Sequence, residues 1–386
     1  MRTAETLQYI LHKWHRPSLH PQVNQVVEQL KTCRTAAQGY HLYRCSNEAC
    51  GKLHYRYHSC RNRHCPQCGG FQKQEWIEQR TAELLPTHYF HVVFTLPHEL
   101  NSLMLGNRKT LLKLLFDASA ATLLQFARDE KYLGAVPGIL SVLHTWGQQL
   151  SFHPHLHCIV SSGGITSTVK GLQWKTAHRN SSRFLFPVKA MGRVYRGKFL
   201  QGLKKLSEQK QLAVDDNHST VAMINKLWQK EWLVYAKKPF GGPQQVISYL
   251  GRYTHKTAIT NGRIAAVNEE EQTVTINYRD YSDGSKQKTL SLSVQEFIRR
   301  FEQHILPKGF TRIRSYGYLA NRGRSIRIGH ITSAMKIPAH PQRIKIPWQL
   351  RLWLQYGTHH NLCSHCGSDS LQLLAVCYGF SPFNDS

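Results

Sequence analysis

Acidic side chains are scarce in this sequence of 386 residues. Aspartate and glutamate together number 23 against 50 lysines and arginines, which leaves a formal net charge of +27 at pH 7. An excess of this size favours a polyanionic partner, with nucleic acid as the first candidate and a membrane surface as the rival. The charge is informative about partners and does not restrict the fold.

Long hydrophobic stretches are also missing. No apolar run approaches the ~18 residues needed to span a bilayer, and residues 1–5 contain no apolar core of a signal peptide. We therefore expect a cytoplasmic protein with no membrane partner. In that reducing compartment, the ten cysteines are expected to bind metal rather than to form disulfides. The length predicts about two or three domains.

Most of the cysteines fall in two groups. Six lie between Cys33 and Cys68, and three lie between Cys363 and Cys377. Two cysteines separated by two residues can turn both thiolates onto one ion, and a second pair completes a tetrahedron. This spacing predicts a zinc site made of Cys45, Cys50, Cys65 and Cys68. Buried free thiols are the alternative.

The remaining candidate ligands leave further zinc sites open. A second N-terminal site could be made of Cys33, His58, Cys60 and His64. Near the end of the chain, Cys363 and Cys366 form half of a site that Cys377 or His360 could complete. A lone pair at this spacing often binds nothing. Among the N-terminal cysteines, Arg61 and Arg63 could contact DNA or carry solvated loop charge.

The spacing of apolar residues predicts an α+β fold on an antiparallel sheet. Residues 39–45 alternate like a strand in the cysteine-rich part. Residues 88–96, 139–146 and 155–160 are predicted strands of a central sheet. A long amphipathic helix is predicted over residues 99–129.

The second half of the chain has weaker patterns. Residues 183–187 and 193–195 are predicted as short strand-like pieces, and residues 221–236 as a helix. Residues 263–294 alternate as a pair of hairpins. A short helix is predicted over residues 296–305.

His155 and His157 stand two residues apart on a predicted strand. Residues with this spacing share one face of a strand, so both imidazoles point one way while Leu156 and Cys158 turn into the core. Two imidazoles on one face are suitable ligands for a metal ion, but a catalytic ion needs a further protein donor. Gln148 is the first candidate for that ligand and His153 the second, and a surface glutamine without a role is the alternative. A role in packing is predicted for His91 and His144.

Tyr249 and Tyr253 stand four residues apart, so on a helix they share a face. Arg252 and Lys256 add positive charge beside them. A phenol is a poor nucleophile unless a cation or a base helps it to lose its proton. With a metal on the histidine strand, the pair could attack a phosphodiester; packing in the core is the alternative.

Several motifs together resemble one known family. They are Ser59–Pro66, Val93–Leu100, Pro154–His157, Tyr249–Tyr253 and Leu306–Phe310. The chain resembles the rolling-circle transposases of the insertion-sequence 91 family, members of the HUH endonuclease superfamily, over most of its length. The resemblance implies an HUH catalytic domain behind a small zinc-binding, DNA-binding domain, in a bacterial protein at the nucleoid.

The resemblance also implies roles for individual residues. His155 and His157 would bind Mg²⁺ or Mn²⁺, and Tyr249 and Tyr253 would attack single-stranded DNA. The partners would be single-stranded DNA at the transposon ends and at the target site. The product of cleavage would be a 5′-phosphotyrosine and a free 3′-hydroxyl. The ligand Gln148 remains an inference from the residues alone.

We divide the chain into four segments on this basis. Residues 1–85 are the expected zinc-binding and DNA-binding domain, and residues 86–260 the HUH catalytic domain. Residues 261–335 form a basic accessory hairpin and helix region, and residues 336–386 a C-terminal tail with the last pair of cysteines. The alternatives in function are a zinc-dependent DNA-binding regulator without nuclease activity and a metal-dependent hydrolase.

Five arginines of the accessory region interleave with two tyrosines. They are Arg312, Arg314, Arg322, Arg324 and Arg327, beside Tyr316 and Tyr318. Mixed basic and aromatic residues are typical of surfaces that contact phosphates and bases. The sequence therefore predicts a DNA-contacting stretch, with a solvated basic face as the alternative.

Overall fold

The computed structural model describes most of the chain, and its description covers residues 5–68, 76–81, 83–169, 171–177, 185–213, 217–237, 245–246, 251, 256–338, 346–357 and 359–379. Within these ranges the protein is a mixed α+β structure with antiparallel sheets, which confirms the predicted fold class. Tyr249, Arg252 and Tyr253 lie outside the described residues.

The secondary structure elements are numbered in chain order. The strands are β1 (Gly39–Cys45), β2 (Leu53–Tyr57), β3 (Tyr89–Thr95), β4 (Val136–Trp146), β5 (Phe152–Thr168), β6 (Gly171–Thr176), β7 (Val234–Lys237), β8 (Ile264–Asn268), β9 (Thr273–Asp280), β10 (Lys286–Ser293), β11 (Ile313–Gly317) and β12 (Leu371–Tyr378). The helices are α1 (Leu7–Trp14), α2 (Pro21–Lys31), α3 (Asn101–Gly106), α4 (Arg108–Arg128), α5 (Val188–Glu208), α6 (Asn217–Trp228), α7 (Val294–Glu302), α8 (Arg324–Ala334) and α9 (Trp348–Tyr356).

The central sheet has the strand order β11-β4-β5-β3-β7, with β6 paired to the far end of β5. Every pairing in it is antiparallel. β3 is buried along nearly its whole length, as its run of aromatic and β-branched residues predicts. β5 is longer than the predicted strand because its outer half pairs with β6. The long, doubly paired β5 forms the middle of the sheet.

One face of the central sheet packs against helices. Leu156 and Cys158 of β5 are fully buried in a core shared with α4 and α5. Of the described helices, only α4 is long and apolar enough to cross a membrane. Its residues Leu111, Leu115 and Phe116 belong to that same core. The apolar composition of α4 therefore follows from its position in the protein interior.

Two predictions between β6 and β7 were wrong. Residues 193–195 are part of α5, whose buried residues Met191, Tyr195, Phe199 and Leu203 recur every four positions. The helix predicted over 221–236 ends at Trp228, and β7 follows it. The residues of β7 pair with β3 instead of continuing the helix, because the edge of the sheet offers their backbone groups hydrogen-bond partners. The long helix predicted over 99–129 is interrupted at Asn107, between α3 and α4.

The accessory region is split between two bodies. Strands β8, β9 and β10 form a separate sheet, and α7 packs on it through Phe297 and Phe301 in a core that also contains Leu7 and Val27 of the N-terminal helices. In contrast, β11 is an edge strand of the central sheet. The strands of the predicted accessory region, residues 261–335, therefore belong to two different sheets.

The C-terminal segment joins the N-terminal module. β12 pairs with β1 from Gly39 opposite Tyr378 to Cys45 opposite Leu371, and β1 pairs on its other side with β2. Because β1 lies in the middle, the sheet needs both ends of the chain. The predicted separation of residues 336–386 as a tail differs from this arrangement, since the order of elements along the chain does not report such long-range pairing.

The arginine stretch predicted to contact DNA is largely structural. Arg312 is buried and donates to the carbonyl oxygen of Lys256, and burial lowers its pKa to about 10. Arg314 stacks on Phe116, while Tyr318 is fully buried. The prediction was wrong for Arg312 and Tyr318, because both side chains are buried in the protein. Of the further arginines in the stretch, Arg324 donates to the carboxylate of Glu83, and Arg327 donates to the carbonyl oxygen of Tyr318.

Candidate active site and metal centres

Four histidines lie on the face of the central sheet opposite the helical core. The strand register aligns His144 of β4 with His155 of β5, and His91 of β3 with Ile159. Residues directly opposite one another share a face, as do residues two apart on one strand. His91, His144, His155 and His157 therefore all project to the same side. The predicted alternation of β5 is confirmed.

His155 and His157 turn one ring nitrogen each toward the same point. Their Nε2 atoms lie 3.1 Å apart. Two neighbouring ligands of an octahedral ion at about 2.1 Å would be separated by about 3.0 Å. The ring nitrogens of His144, His155 and His157 all lie within 4.8 Å of one another. This donor set fits a divalent cation with three protein imidazoles and open positions for substrate.

Hydrogen bonds fix the orientation of both rings. Nδ1 of His155 lies 2.7 Å from the carbonyl oxygen of His153. Because a carbonyl only accepts, Nδ1 carries the proton and Nε2 keeps its lone pair. Nδ1 of His157 lies 2.9 Å from Nε2 of His91, whose ring stacks on that of His157. Outer partners of this kind set the tautomer and direction of metal-binding histidines.

The imidazoles of His155 and His157 are neutral at pH 7. Burial lowers the pKa of His155 to about 4. Burial also lowers the pKa of His157 well below its ordinary value, and the neighbouring imidazoles of His144, His155 and His91 add to the effect. A protonated imidazole has no lone pair for a metal. Neutral rings at pH 7 are therefore ready to coordinate a cation.

A cavity of about 400 Å³ opens above these histidines. Its lining includes Lys256 and Arg263, together with Tyr235 and Tyr281, whose side chains are exposed. Arg263 donates to the backbone oxygens of Gln148, Ala258 and Asn277. The cavity thus combines neutral imidazoles, positive charge and aromatic faces, which suits a phosphodiester and its bases.

The predicted third ligand, Gln148, lines the same cavity as the histidine pair, but its amide group is hydrogen-bonded to other residues. Its amide nitrogen lies 3.4 Å from the hydroxyl of Tyr281, and its amide oxygen accepts from the backbone N–H of Arg279 at 3.5 Å. The structure places His144 with His155 and His157, although the sequence predicted a role in packing for it. His144 lies opposite His155 in the β4–β5 pairing, and this register cannot be predicted from the sequence of one strand.

The first cysteine cluster consists of Cys33, Cys60, Cys65 and Cys68. The sulfur of Cys33 lies 3.5 Å from that of Cys68 and 3.6 Å from that of Cys65, and the sulfurs of Cys60 and Cys68 are 3.7 Å apart. Sulfurs on a tetrahedral zinc at about 2.3 Å would be about 3.8 Å apart. Cys33, Cys65 and Cys68 are buried and Cys60 is partly exposed, and the spacing of the four sulfurs fits such an ion.

The predicted grouping of Cys45 and Cys50 with Cys65 and Cys68 was wrong. Cys45 and Cys50 lie instead with Cys363 and Cys366. The reason is topological, because β12 brings the C-terminal loop onto the β1–β2 hairpin.

The histidines predicted as zinc ligands have other partners. Nδ1 of His58 lies 3.1 Å from the carbonyl oxygen of Gln38, and its Nε2 lies 2.9 Å from His41. His64 accepts from the backbone N–H of Leu306. The ring of His360 contacts the guanidinium of Arg56.

The two arginines predicted to contact DNA differ in their surroundings. Arg63 donates to the carbonyl oxygen of Phe310 at 2.7 Å, which links the cysteine-rich module to the segment before β11. Arg61 is exposed and has a positive φ of 52°.

Comparisons with known proteins bear on both parts of the chain. A family model described as "Transposase zinc-binding domain" matches residues 5–96, and one described as "Putative transposase" matches residues 138–326. The chain is 41% identical over 343 residues to "Putative transposase y4qJ" of Sinorhizobium fredii, covering 86% of this chain and 84% of that one. No solved structure matches it.

A second relative carries an insertion-sequence name. The chain is 30% identical over 317 residues to the "Transposase for insertion sequence element IS801" of Pseudomonas savastanoi pv. phaseolicola, covering 81% of this chain and 74% of that one. A zinc-binding domain followed by a transposase domain defines the class, a DNA transposase. The chain belongs to the insertion-sequence 91 family of transposases, which confirms the resemblance seen in its motifs.

Proposed function

We propose that this transposase nicks and rejoins single-stranded DNA at the ends of its insertion sequence, through a covalent 5′-phosphotyrosine, in rolling-circle transposition. The proposed nucleophiles are Tyr249 and Tyr253, which lie outside the described residues. The proposed ligands of Mg²⁺ or Mn²⁺ are His155, His157 and His144, in place of Gln148. The protein acts in the cytoplasm on nucleoid DNA.

The observation that carries the proposal is the convergence of the imidazoles beneath a basic cavity. The Nε2 atoms of His155 and His157 face each other at 3.1 Å, and Lys256 lines the same cavity. Lys256 follows Tyr253 by three residues, and three extended residues span at most about 11 Å. On the other side of the tyrosines, Val246 packs on the sheet against Leu140 and Ile159.

The chemistry is a transesterification. The phenolate oxygen of a tyrosine forms a bond to phosphorus while the bond from phosphorus to the 3′ oxygen breaks, and the released 3′ oxygen takes up a proton. Attack of a 3′-hydroxyl on the phosphotyrosine reverses the step and joins a strand. No external energy source is needed, because one phosphoester replaces another.

The residues of the chain bind and orient the reacting groups. A bound divalent ion would supply Lewis-acid polarisation of the scissile phosphate. The carbonyl of His153 and the ring of His91 hold the ligand imidazoles in place. Lys256 contributes a fixed positive charge where the phosphate gains negative charge. Tyr235 and Tyr281 offer rings on which bases can stack.

The cysteine clusters have a separate, structural role in this proposal. Cys33, Cys60, Cys65 and Cys68 would hold a zinc in the zinc-binding domain. Four thiolates leave no open position for substrate, so the ion stabilises the fold. The exposed Arg61 and its neighbour Arg63 would contact the DNA backbone from this domain.

The test is the formation of a covalent adduct. The full chain is incubated with a labelled single-stranded oligonucleotide carrying an element end, with Mg²⁺ or Mn²⁺, and analysed on a denaturing gel. We expect a denaturation-resistant adduct that disappears with chelator. Tyr249→Phe and Tyr253→Phe should each retain some nicking, and the double variant should form no adduct, because the ring remains and only the nucleophile is lost.

Tyr132→Phe is the matched control, since Tyr132 packs between Phe126 and Phe186 away from the cavity. An adduct formed by the double variant would exclude both tyrosines. Cleavage without any adduct would favour a metal-dependent hydrolase. Binding with no cleavage under any divalent ion would favour a zinc-dependent DNA-binding regulator.

A further inference from the structure

The second cysteine cluster draws its members from both ends of the chain. Cys45 ends β1 and Cys50 lies in the turn before β2, while Cys363 and Cys366 lie in the loop before β12. The sulfurs of Cys45 and Cys366 are 3.6 Å apart, and those of Cys50 and Cys363 are 3.7 Å apart. All four sulfurs lie within 4.8 Å of one another.

These separations fit a metal site better than paired disulfides. A disulfide requires about 2.05 Å between sulfurs and joins them in pairs. Four sulfurs about 3.8 Å apart are the corners of a tetrahedron around zinc at about 2.3 Å. Both observed distances are within about 0.2 Å of that value. The cluster shares no cysteine with the first one.

The two halves of the cluster have the same local construction. A glycine follows the second cysteine of each pair, and both glycines have positive φ, 58° at Gly51 and 73° at Gly367. Glycine adopts this conformation without the strain that a Cβ would cause. The backbone N–H of Gly51 donates to Asn47, and that of Gly367 donates to Cys363. Each turn therefore presents two sulfurs on one side.

Polar neighbours surround the sulfurs with hydrogen-bond donors. Nε2 of His54 lies 3.2 Å from the sulfur of Cys363. The hydroxyl of Ser370 lies 3.2 Å from the sulfur of Cys45, and the hydroxyl of Ser368 lies 2.9 Å from that of Cys366. Donors around metal-bound thiolates stabilise their negative charge and fix their direction.

We propose that Cys45, Cys50, Cys363 and Cys366 bind a second structural zinc, which fastens the C-terminal strand β12 to the N-terminal sheet. The family model for the zinc-binding domain ends at residue 96 and therefore includes only half of these ligands. The other half comes from a segment beyond both matched domains. The site does not depend on the proposed cleavage chemistry, because it lies on a different sheet.

Zinc stoichiometry tests the proposal on the full chain. Native mass spectrometry of protein purified without chelator should find two zinc ions per chain. Cys366→Ser should retain one, and since Cys366 is exposed, this change opens no cavity in a core. Cys377→Ser is the matched control, because Cys377 lies on β12 but in neither cluster, and it should retain both ions.

Thiol reactivity of the wild-type chain gives a second measurement that does not depend on a variant folding. Cys366 should resist iodoacetamide in the folded protein despite its exposure, and should react once a zinc chelator is added. Peptide mapping locates the modified cysteines. Rapid alkylation of Cys366 without chelator, a Cys45–Cys366 disulfide, or two zinc ions retained by Cys366→Ser would each overturn the proposal.

Discussion

The histidine site and the cysteine clusters are assembled in different ways. The two central imidazoles come from one strand, two residues apart, and a third lies directly across the strand pair. The cysteine clusters collect most of their ligands from loops, and in the second cluster Cys50 and Cys363 are separated by 313 positions. One site is therefore positioned by a rigid sheet, while the other itself joins distant segments.

The ligands also differ in chemistry, and this difference matches their roles. Neutral imidazoles under an open cavity leave positions free for a substrate, as a catalytic ion requires. Four thiolates complete a coordination shell and contribute to folding. Under the proposed function, activity and stability would depend on different metals in different parts of this molecule. The comparison can be tested by removing each set of ligands separately.

The largest expected effect is on stability, from the first cysteine cluster. Cys65→Ala should remove one zinc and the cooperative unfolding of the N-terminal module, because structural zinc binding is worth about 10–16 kcal/mol in small zinc domains. Zinc analysis and thermal melting measure this. Cys158→Ala, at a buried cysteine outside both clusters, should cost only about 0.5–3 kcal/mol. Equal melting curves for the two variants would contradict the assignment.

The next effect is on cleavage. His155→Ala and His157→Ala should each reduce nicking by at least about 100-fold, since removal of even an outer-shell partner costs about 10–100-fold. Zinc content and thermal stability should remain unchanged, which separates this site from the clusters. His98→Ala is a suitable control because that side chain is 83% exposed. Undiminished nicking by the double alanine variant would remove the histidines from the mechanism.

A smaller effect is expected at His91, which contacts His157 but not the ion in this proposal. His91→Ala should weaken the apparent affinity for Mn²⁺ by about 10–100-fold, because the ring of His157 loses its orienting partner. Nicking should recover at high Mn²⁺, unlike in His155→Ala. Titration of activity against Mn²⁺ measures this. A lower maximal rate with unchanged Mn²⁺ dependence would argue against a positioning role.

The smallest effect concerns the DNA backbone. Affinity for single-stranded DNA should fall steeply with salt, because a chain of net charge +27 displaces counterions. Arg61→Ala should reduce the slope of log affinity against log salt by about 0.7, the value for one phosphate contact on a single strand. His155→Ala should leave the slope unchanged. A wild-type slope near zero would mean that the charge does not bind DNA.

Local patterns in the sequence predicted much of the central sheet. Strands β3, β4 and β5 were found because their apolar runs are short and bounded. The shared face of His155 and His157 follows from a period of two and needs no tertiary information. The helix α5 had an equally local signal, since Met191, Tyr195 and Phe199 recur every four residues. Its basic residues concealed that pattern.

Contacts between distant segments could not be predicted in this way. The pairing of β12 with β1 decides which cysteines meet, and no spacing in the sequence encodes it. The same holds for Arg312, which was predicted to contact DNA although it is buried and donates to the carbonyl oxygen of Lys256. His144 was missed because its partner lies on another strand. Register and long-range pairing are properties of the folded chain.

The pairing of β12 with β1 has a consequence for the order of synthesis. The β1–β2 hairpin leaves the ribosome first, but its partner strand follows 313 residues after Cys50 or later. At about 5–20 residues per second, the hairpin waits about 15–60 s for that strand. A nascent transposase therefore carries an unfinished first module until its catalytic sheet has been made. A premature stop before Cys363 would leave the beginning of the protein incomplete.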